Sequence, residues 1–301
     1  MLRWIVAACG LLSVGMARRL GRALGRVAHL VAARERRRAE EHFRVAFPDA
    51  GDDEVKGTIR DCFVNLGEHA LELCVARKLD RDMDRHVSID PDDVAPLDEA
   101  LSEGKGCIVI TGHIGSWELA ARSMVAKGYE VVAVARHFTD RGLGDMVDRL
   151  RESGGVVALP RGAPGTVKKL LRQIRGGGAL FMLIDQDTKV PSVFVPFFGR
   201  PAKTPRGPAE LALRMDAPVV FGFIHRTRPG GPHRLRMERL RAPEPTGNGE
   251  RDVEALTAAF NEHLEAEIRD YPADWVWFHK RWRSKPPEEP AEAEIRGGRI
   301  G

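Results

Sequence analysis

The hydrophobic pattern of this chain changes its period after Pro91. Short apolar runs of strand length then alternate with segments in which apolar residues recur every three or four positions, as on one face of a helix. The runs predict strands at residues 107–111, 130–135, 156–159, 179–184, 218–224 and 234–239. The periodic segments predict helices at residues 93–103, 116–127, 141–153, 163–175, 205–215 and 251–269. This alternation predicts one α/β domain with a mixed, largely parallel sheet flanked by helices, in which residues 218–239 supply antiparallel strands.

Two further helix signals are present, one before the alternating region and one at the start of a helix within it. Apolar positions on a helical period predict a long helix over residues 52–78. Thr204 followed by Pro205 predicts a helix start, because threonine is a good N-cap and proline is favoured at the first helical position.

The amino-terminal end combines an apolar run with arginines. Residues 4–17 carry no charge but are too few to span a bilayer comfortably. Arg18 and Arg19 follow directly, without a clear small-residue cleavage site, which disfavours a signal peptide. An apolar stripe then continues at helical spacing through Leu20, Leu24, Val27 and Val31. The pattern predicts a membrane-associating helix that lies against an anionic leaflet and keeps the rest of the chain cytoplasmic. The alternative is an ordinary helix packed on the domain with solvated arginines.

Charge and cysteine content narrow the class of protein. The net charge is +4 over 301 residues, but residues 1–44 alone carry +7, which leaves −3 for the rest. A nucleic-acid-binding face spread over the fold is therefore not expected. The four cysteines show no metal-ligand spacing and predict free, mostly buried thiols. We expect three regions: a membrane-associating segment at 1–45, the α/β domain at 46–285 and a disordered tail at 286–301, which is rich in Pro, Glu and Gly.

The most specific candidate chemistry lies where the predicted strand 107–111 ends. His113 follows this strand, and Glu118 lies at the start of the next predicted helix. Ligands of open α/β sheets bind at such strand-to-helix corners. A histidine held by a carboxylate can accept a proton from an alcohol. In the alternative interpretation, His113 satisfies a buried carbonyl group and Glu118 is a solvated first-turn residue.

Other polar groups follow other predicted strands. Arg136 follows strand 130–135 and could hold a phosphate or carboxylate, or be a solvated loop residue. Asp185 and Asp187 follow strand 179–184, but no calcium loop or third ligand accompanies them, so no metal site is expected. No nucleophile elbow, Walker loop or dinucleotide fingerprint is present, which disfavours serine hydrolases, nucleotidases and dehydrogenases.

Two aromatic segments have alternative interpretations. Residues 193–199, which include Phe194, Phe197 and Phe198, could line a groove for a hydrocarbon chain or simply pack in the core. Residues 275–283 hold three of the five tryptophans among cations. This mixture suits an interfacial lipid contact, an acidic partner, or packing on the domain.

Taken together, four blocks resemble the bacterial late, Kdo-dependent lipid A biosynthesis acyltransferases of the lysophospholipid acyltransferase superfamily. They are residues 37–43 with Phe47-Pro48, His113 to Glu118 as a His-x4-Asp/Glu motif, residues 185–187 with 193–199 and Thr204, and residues 272–283. The resemblance implies an acyltransferase fold and transfer of a fatty acyl group from an acyl-carrier-protein thioester to a hydroxyl of a membrane glycolipid. It implies no metal or organic cofactor, no nucleic-acid partner, and a place on the cytoplasmic face of the inner membrane.

The resemblance also assigns roles to residues. It makes His113 the general base and Glu118 its orienting partner, and it gives Arg136, Asp185 and Asp187 to substrate binding. The phenylalanines at 194, 197 and 198 are the expected lining of the acyl groove. Three alternatives stay open: an acyltransferase with another lipid acceptor or an acyl-coenzyme A donor, a lipid hydrolase, and a non-catalytic lipid- or carrier-binding scaffold.

Overall fold

A seven-stranded mixed sheet forms the centre of the computed structural model, which describes residues 8–135 and 141–287. The strand order is β1-β9-β8-β2-β5-β3-β4, and every neighbouring pair is parallel except β8 and β9. A separate hairpin pairs β6 with β7. The strands are β1 Val87–Ser88, β2 Cys107–Thr111, β3 Val131–Ala135, β4 Val157–Pro160, β5 Ala179–Leu183, β6 Ser192–Phe197, β7 Arg200–Pro205, β8 Val219–Arg226 and β9 His233–Arg239.

Helices precede the sheet and connect its strands. Those before β2 are α1 Val14–Val31, α2 Ala33–Ala46, α3 Asp52–Cys74, α4 Ala76–Leu79, α5 Met83–His86 and α6 Pro91–Ser102. Those after β2 are α7 Trp117–Ala126, α8 Arg141–Ser153, α9 Thr166–Arg175, α10 Gly207–Met215 and α11 Gly249–Asp270. Short 3₁₀ turns occur at Asp80–Asp82 and Pro272–Asp274.

The predicted α/β class and mixed, largely parallel sheet are confirmed. The β8–β9 pair is antiparallel, as the stretch 218–239 suggested. The long helix predicted over 52–78 ends earlier, at Cys74. The sequence missed the short strand β1 and the β6–β7 hairpin.

The helix start predicted at Thr204 and Pro205 is wrong. Both residues belong to β7, where Thr204 pairs with Val193 of β6. The helix begins at Gly207 and has Pro208 in its first turn instead. Thr204 is fully buried, and its hydroxyl accepts a hydrogen bond from Arg281, 2.7 Å from Nη2. The contact between Thr204 and the distant Arg281 is therefore satisfied in a strand, although the local Thr-Pro sequence favours a helix start.

The two faces of the sheet carry separate hydrophobic layers. In β2, Ile108 and Ile110 join a core with α10, α11 and the aromatic residues of the carboxyl-terminal segment. Cys107 and Val109 face the opposite layer, which includes α6 and α7. Side chains alternate in this way because successive residues of a strand point to opposite faces.

The helix α1 packs on α3 through glycines. A Cβ atom at Gly21, Gly25 or Gly67 would meet the backbone of the facing helix at less than a van der Waals distance. Beside this contact, Arg18 reaches Glu72 (Nε to Oε1, 2.7 Å) and Arg22 reaches Glu68 (Nη1 to Oε1, 3.0 Å). The two arginines expected on a solvent- or lipid-facing surface are instead paired inward with glutamates.

The apolar stripe of α1 lies on the outside of the described structure. Leu20, Leu24, Val27 and Val31 are 40%, 47%, 53% and 74% exposed. Within the described ranges, no helix combines the length and hydrophobicity needed to cross a membrane. All four cysteines are free; Cys62 and Cys107 are buried, whereas Cys9 and Cys74 are half-buried.

Candidate active site

The register of two neighbouring strands brings His113 and Asp185 together. In the parallel pair β2–β5, Thr111 lies opposite Leu183. His113 and Asp185 each follow two residues after this pair, so both lie at the carboxyl edge of the sheet. The absence of a side chain at Gly112 lets the two segments lie close together, since a Cβ atom there would lie 3.3 Å from the Asp185 carboxylate.

Asp185 holds His113 through both of its carboxylate oxygens. The Nδ1 atom of His113 lies 2.8 Å from Oδ1, and the backbone N–H of His113 donates to Oδ2, also at 2.8 Å. The indole N–H of Trp275 donates to the same Oδ2 at 2.8 Å. Burial by itself raises the pKa of Asp185, but the charge and hydrogen bonds of His113 outweigh it and hold the pKa below its usual value. A fully buried but ionised carboxylate therefore fixes the orientation of the imidazole.

The carboxyl-terminal segment clamps the loop that carries His113. Ile114 forms a β-bridge with Trp275. The N–H of Gly115 donates to the carbonyl of Asp274 at 3.0 Å, and the N–H of Val276 donates to the carbonyl of His113 at 3.3 Å. Gly115 has a φ of 58°, and a Cβ atom there would collide with the Ile224 carbonyl. The conformation that presents His113 thus requires glycine at position 115.

Gln186 and His279 complete the polar centre. The Gln186 amide nitrogen lies 3.0 Å from Nε2 of His113 and 3.1 Å from each ring nitrogen of His279. Burial lowers the pKa of His279 to about 3, which leaves this ring neutral beside His113. The sequence did not identify either residue as part of the site. Its only signals were the position of Gln186 between two aspartates and the place of His279 in the tryptophan-rich segment.

A cavity of about 370 Å³ opens beside His113, between the sheet and α7. Its volume lies in the range typical of small-molecule sites, about 300–1,000 Å³. The polar part is lined by His113, Glu118, Arg151, Arg161 and Gln186. The remainder is mainly apolar, and its walls include Val109, Ala121, Met124, Phe181, Gly222 and Met237. The arrangement offers a proton acceptor at the end of a slot that suits a hydrocarbon group.

Glu118 lines the same cavity but does not orient His113, in contrast to the sequence-based expectation. Its carboxylate forms a forked ion pair with Arg151 of α8, in which Nε lies 3.0 Å from Oε2 and Nη2 contacts Oε1. The carboxylate that contacts His113 in the described structure is that of Asp185. Residue 118 is five positions away in sequence, but the strand pairing places residue 185 closer to the ring.

The other predicted polar residues have different surroundings. Asp187 accepts hydrogen bonds from the backbone N–H of Ser284 at 2.8 Å and from Nη2 of Arg283 at 3.1 Å. It therefore ties the carboxyl-terminal segment to the end of β5, next to the His113–Asp185 pair. Arg136 lies outside the described residues.

The residues predicted to form a hydrocarbon groove, 193–199, do not line the cavity beside His113. Phe197 and Phe198 are buried, with Phe197 5.6 Å from the ring of Trp275 and Phe198 6.1 Å from that of Phe47. Phe194 is half-buried in β6. None of the three lines the cavity beside His113. Phe197 packs against Trp275, whose indole N–H donates to Asp185, and so supports the His113–Asp185 pair indirectly.

Among the residues that the structure describes, two groups of side chains have the composition of metal ligands. His113, Asp185 and His279 form one, and His69, Glu72 and His233 form the other. In the first, both oxygens of Asp185 already accept hydrogen bonds. In the second, Glu72 is paired with the guanidinium groups of Arg18 and Arg226, and their positive charge opposes a bound cation. These contacts favour hydrogen-bonding roles for both groups.

Comparison with known proteins finds one matching family model and several named relatives. Residues 2–284 match the family model described as bacterial lipid A biosynthesis acyltransferase. The chain is 29% identical over 197 residues to a phosphatidylinositol mannoside acyltransferase of Mycolicibacterium smegmatis, a match that covers 64% of this chain and 62% of that protein. It is 27% identical over 208 residues to the protein of that name from Mycobacterium tuberculosis, covering 68% and 62%.

A longer match is to the lipid A biosynthesis lauroyltransferase of Escherichia coli, which is 24% identical over 282 residues, covering 91% of this chain and 87% of that protein. The chain thus spans 62% of the length of the mycobacterial relatives but most of the enterobacterial one.

Proposed function

Since this chain belongs to the bacterial lipid A biosynthesis acyltransferase family, we propose that it transfers a fatty acyl group from an acyl-carrier-protein thioester to a hydroxyl of a membrane glycolipid. The observation that carries this proposal is the His113–Asp185 pair at the polar end of an apolar cavity. A transferase needs a base for the hydroxyl and a dry slot for the acyl chain, and these two features supply both.

The proposed reaction begins with proton removal by Nε2 of His113. Asp185 holds Nδ1 and stabilises the imidazolium that forms, a form of general-base catalysis worth about 10²–10⁴-fold. The hydroxyl oxygen attacks the thioester carbonyl carbon and forms a tetrahedral oxyanion. Collapse of this intermediate breaks the carbon–sulfur bond, and the thiolate takes the proton back from His113. The Gln186 side-chain amide lies close enough to His113 to donate a hydrogen bond to the oxyanion.

The acyl chain is proposed to occupy the apolar part of the cavity, between α7 and the sheet. Each methylene buried there contributes about 0.8 kcal/mol of binding free energy. The ion pair of Glu118 with Arg151 stands at the polar end, where it can orient a polar part of donor or acceptor.

A second class of acceptor lipid should be tested in the transfer assay. Two relatives are named phosphatidylinositol mannoside acyltransferases and are 27% and 29% identical to this chain. They support a mannosylated inositol lipid as the alternative acceptor, with the same base and the same cavity.

We further propose that the protein works on the cytoplasmic face of the inner membrane, attached through α1. The outward position of Leu20, Leu24 and Val27 supports this, because an exposed apolar stripe on a helix suits the interface of a lipid leaflet. Arg19 and Arg26 are exposed on the same helix and form no ion pair with any described residue, so they are available to anionic headgroups.

The test is lipid mass spectrometry of cells that lack the gene, together with transfer assays on the purified protein. We expect one glycolipid to lose one acyl chain, and the wild-type gene to restore it. The variant His113→Ala should fail to restore it and should lose at least 10²-fold in kcat.

His86→Ala, in a histidine of α5 away from the cavity, is the matched control and should behave as wild type. Normal turnover by His113→Ala would remove the general-base proposal. Release of free fatty acid without an acceptor would identify a hydrolase instead.

A further inference from the structure

The helix α9 carries an unusual concentration of positive charge. Its ten residues, TVKKLLRQIR, contain Lys168, Lys169, Arg172 and Arg175 and no acidic residue. All four cations are exposed. Lys168, Arg172 and Arg175 follow the spacing of one helix face, whereas Leu170 and Ile174 are buried on the other side.

These cations have no acidic partner within the described ranges. None of the four forms an ion pair there. Some other arginines of the described structure are neutralised locally; the half-buried Arg206, for example, contacts both Glu210 and Glu250. The remainder of the chain after residue 44 is net negative, so the charge on α9 is a local feature rather than a property of the whole surface.

The cationic face begins near the mouth of the cavity. Strand β4 ends at Pro160, and the next residue, Arg161, lines the polar part of the cavity beside His113. The helix begins five residues later, at Thr166, and a hydrogen bond from the Thr166 hydroxyl to the Pro160 carbonyl, 2.7 Å long, ties its first turn to the strand end. A partner bound along α9 therefore lies next to the entrance to the proposed reaction centre.

We infer that this face of α9 is the docking surface for an acidic acyl carrier protein that delivers the thioester to His113. The inference rests on the proposed function, because it assigns the donor of that reaction. A carrier with an acidic face is attracted to a row of unpaired cations, and the long-range attraction speeds correct encounters. The prosthetic arm then enters past Arg161.

The shape and composition of the surface favour a protein over other anions. Lys168 and Arg175 lie seven residues apart, which corresponds to about 10 Å along the helix axis. An outward-facing row of this length fits the face of a macromolecule better than a single phosphate group. The exposed large apolar residue on this helix is Val167, so α9 offers little to insert into a lipid leaflet, in contrast to the stripe on α1.

Binding can be measured apart from turnover. The full-length variant His113→Ala would be titrated with acyl carrier protein of the same organism, loaded with a fatty acyl thioester, at low and high salt. The comparison is the same protein with Lys168→Glu, Arg172→Glu and Arg175→Glu added. We expect the triple reversal to weaken binding at least tenfold at low salt and to remove most of its salt dependence.

The matched control reverses three exposed arginines elsewhere: Arg214→Glu, Arg241→Glu and Arg251→Glu. Arg214 and Arg241 lie near the start of β8 and the end of β9, at the sheet edge opposite His113. This control should leave carrier binding unchanged although its change in net charge is the same. In an otherwise wild-type chain, the α9 reversal should raise the KM for the carrier-bound donor and leave transfer from acyl-coenzyme A unchanged.

Several results would overturn the inference. They are equal carrier binding by the parent and the α9 variant, equal losses in the α9 and control variants, or an α9 reversal that impairs transfer from acyl-coenzyme A as much as from the carrier. Loss of binding to anionic vesicles with carrier binding intact would show a membrane surface instead. A protein that binds the carrier through α9 but transfers no acyl group would refute the proposed function and leave the docking surface standing.

Discussion

At the scale of single residues, Asp185 takes the place that sequence spacing gave to Glu118. Its carboxylate is fully buried and accepts three hydrogen bonds, two of them from His113. Glu118 is held by Arg151 in the polar lining of the same cavity. Asp185 therefore orients His113, whereas Glu118 contributes an ion pair to the cavity lining. Substituting each acid separately should distinguish the two roles.

We expect Asp185→Asn to lower kcat by about 10²–10⁴-fold, because an amide can hold the ring in the wrong tautomer and cannot stabilise imidazolium. Glu118→Gln should instead raise KM with a smaller loss of kcat, since it removes an ion pair at the polar end of the cavity. Steady-state kinetics with both variants, with thermal unfolding as a check on folding, makes the comparison. A larger kcat loss in Glu118→Gln than in Asp185→Asn would return the orienting role to Glu118.

Gly222 is a second residue whose size matters. It lines the apolar part of the cavity, and a Cβ atom there would lie 3.4 Å from Cγ1 of Val109 and 3.5 Å from Cε of Met237. These are ordinary contacts, so a slightly larger residue fits without forcing the backbone apart. Its added methyl groups would occupy space proposed for the acyl chain.

We expect Gly222→Val to shift the preferred donor to a shorter acyl chain. Excluding two methylenes forfeits about 1.6 kcal/mol, or roughly tenfold in kcat/KM for the longer chain. Donors of graded length would be compared in the transfer assay. Phe194→Leu, in the segment that the sequence assigned to the groove, is the control and should leave the length preference unchanged; a shift there and none in Gly222→Val would contradict the assignment.

At the scale of elements, His225 joins β8 to the carboxyl-terminal part of the chain. Its Nε2 atom lies 2.5 Å from Glu267 of α11 and its Nδ1 atom 2.7 Å from Asp274. Tyr271 stacks on the ring at 3.7 Å, while Arg236 contacts Glu267 and Asn65 contacts Asp274. Burial lowers the pKa of His225, but the two carboxylates outweigh it and raise the pKa above its usual value. The Asp274 carbonyl also accepts the hydrogen bond from Gly115, so this junction supports the His113 loop.

This junction should weaken as the pH rises. Because the folded-state pKa of His225 is raised, its stabilisation is fully present below about pH 6.5 and is lost as the pH rises through the raised value. We expect His225→Gln to be less stable than wild type by up to about 3–5 kcal/mol at low pH, with the gap closing at higher pH. Denaturant unfolding of both proteins across the pH range gives the difference curve. A gap that widens with pH would contradict the raised pKa.

At the scale of the whole molecule, α1 presents the surface that we propose meets a membrane. Glycines and two arginine–glutamate pairs hold its inner face on α3, and this arrangement turns Leu20, Leu24 and Val27 outward. Deleting the helix would leave Glu68 and Glu72 without their α1 partners and expose the glycine face of α3. Substitution of the outward residues is therefore the cleaner test of attachment.

We expect the triple variant Leu20→Glu, Leu24→Glu and Val27→Glu to keep its fold and to lose most of its sedimentation with anionic vesicles. The outward positions explain both results, because the substitutions add charge only to the surface proposed to enter the lipid interface. Leu213→Glu with Val157→Glu changes exposed apolar residues elsewhere and should sediment as wild type. Undiminished sedimentation of the triple variant would refute attachment through α1.

The amino-acid sequence alone determined the features that depend on neighbouring residues, namely the type and position of most strands and helices. The alternation of apolar runs and periodic segments predicted the strands from β2 to β9 outside the hairpin, because a buried strand and an amphipathic helix each carry their own pattern. His113 was found because a polar motif at the end of an apolar strand is itself local. The hairpin was missed because aromatic and proline-rich residues at 192–205 mimic both a loop and a helix start.

Only the tertiary structure decided the relations between distant segments. Asp185 pairs with His113 across 72 positions because β5 lies beside β2 in the sheet. Small residues of both α7 and β8, Ala120, Ala121 and Gly222, line the cavity, and the outer face of α1 is fixed by where its glycines fit. The identity of an element resides in its own residues, whereas the partner it meets depends on long-range packing that no single segment encodes.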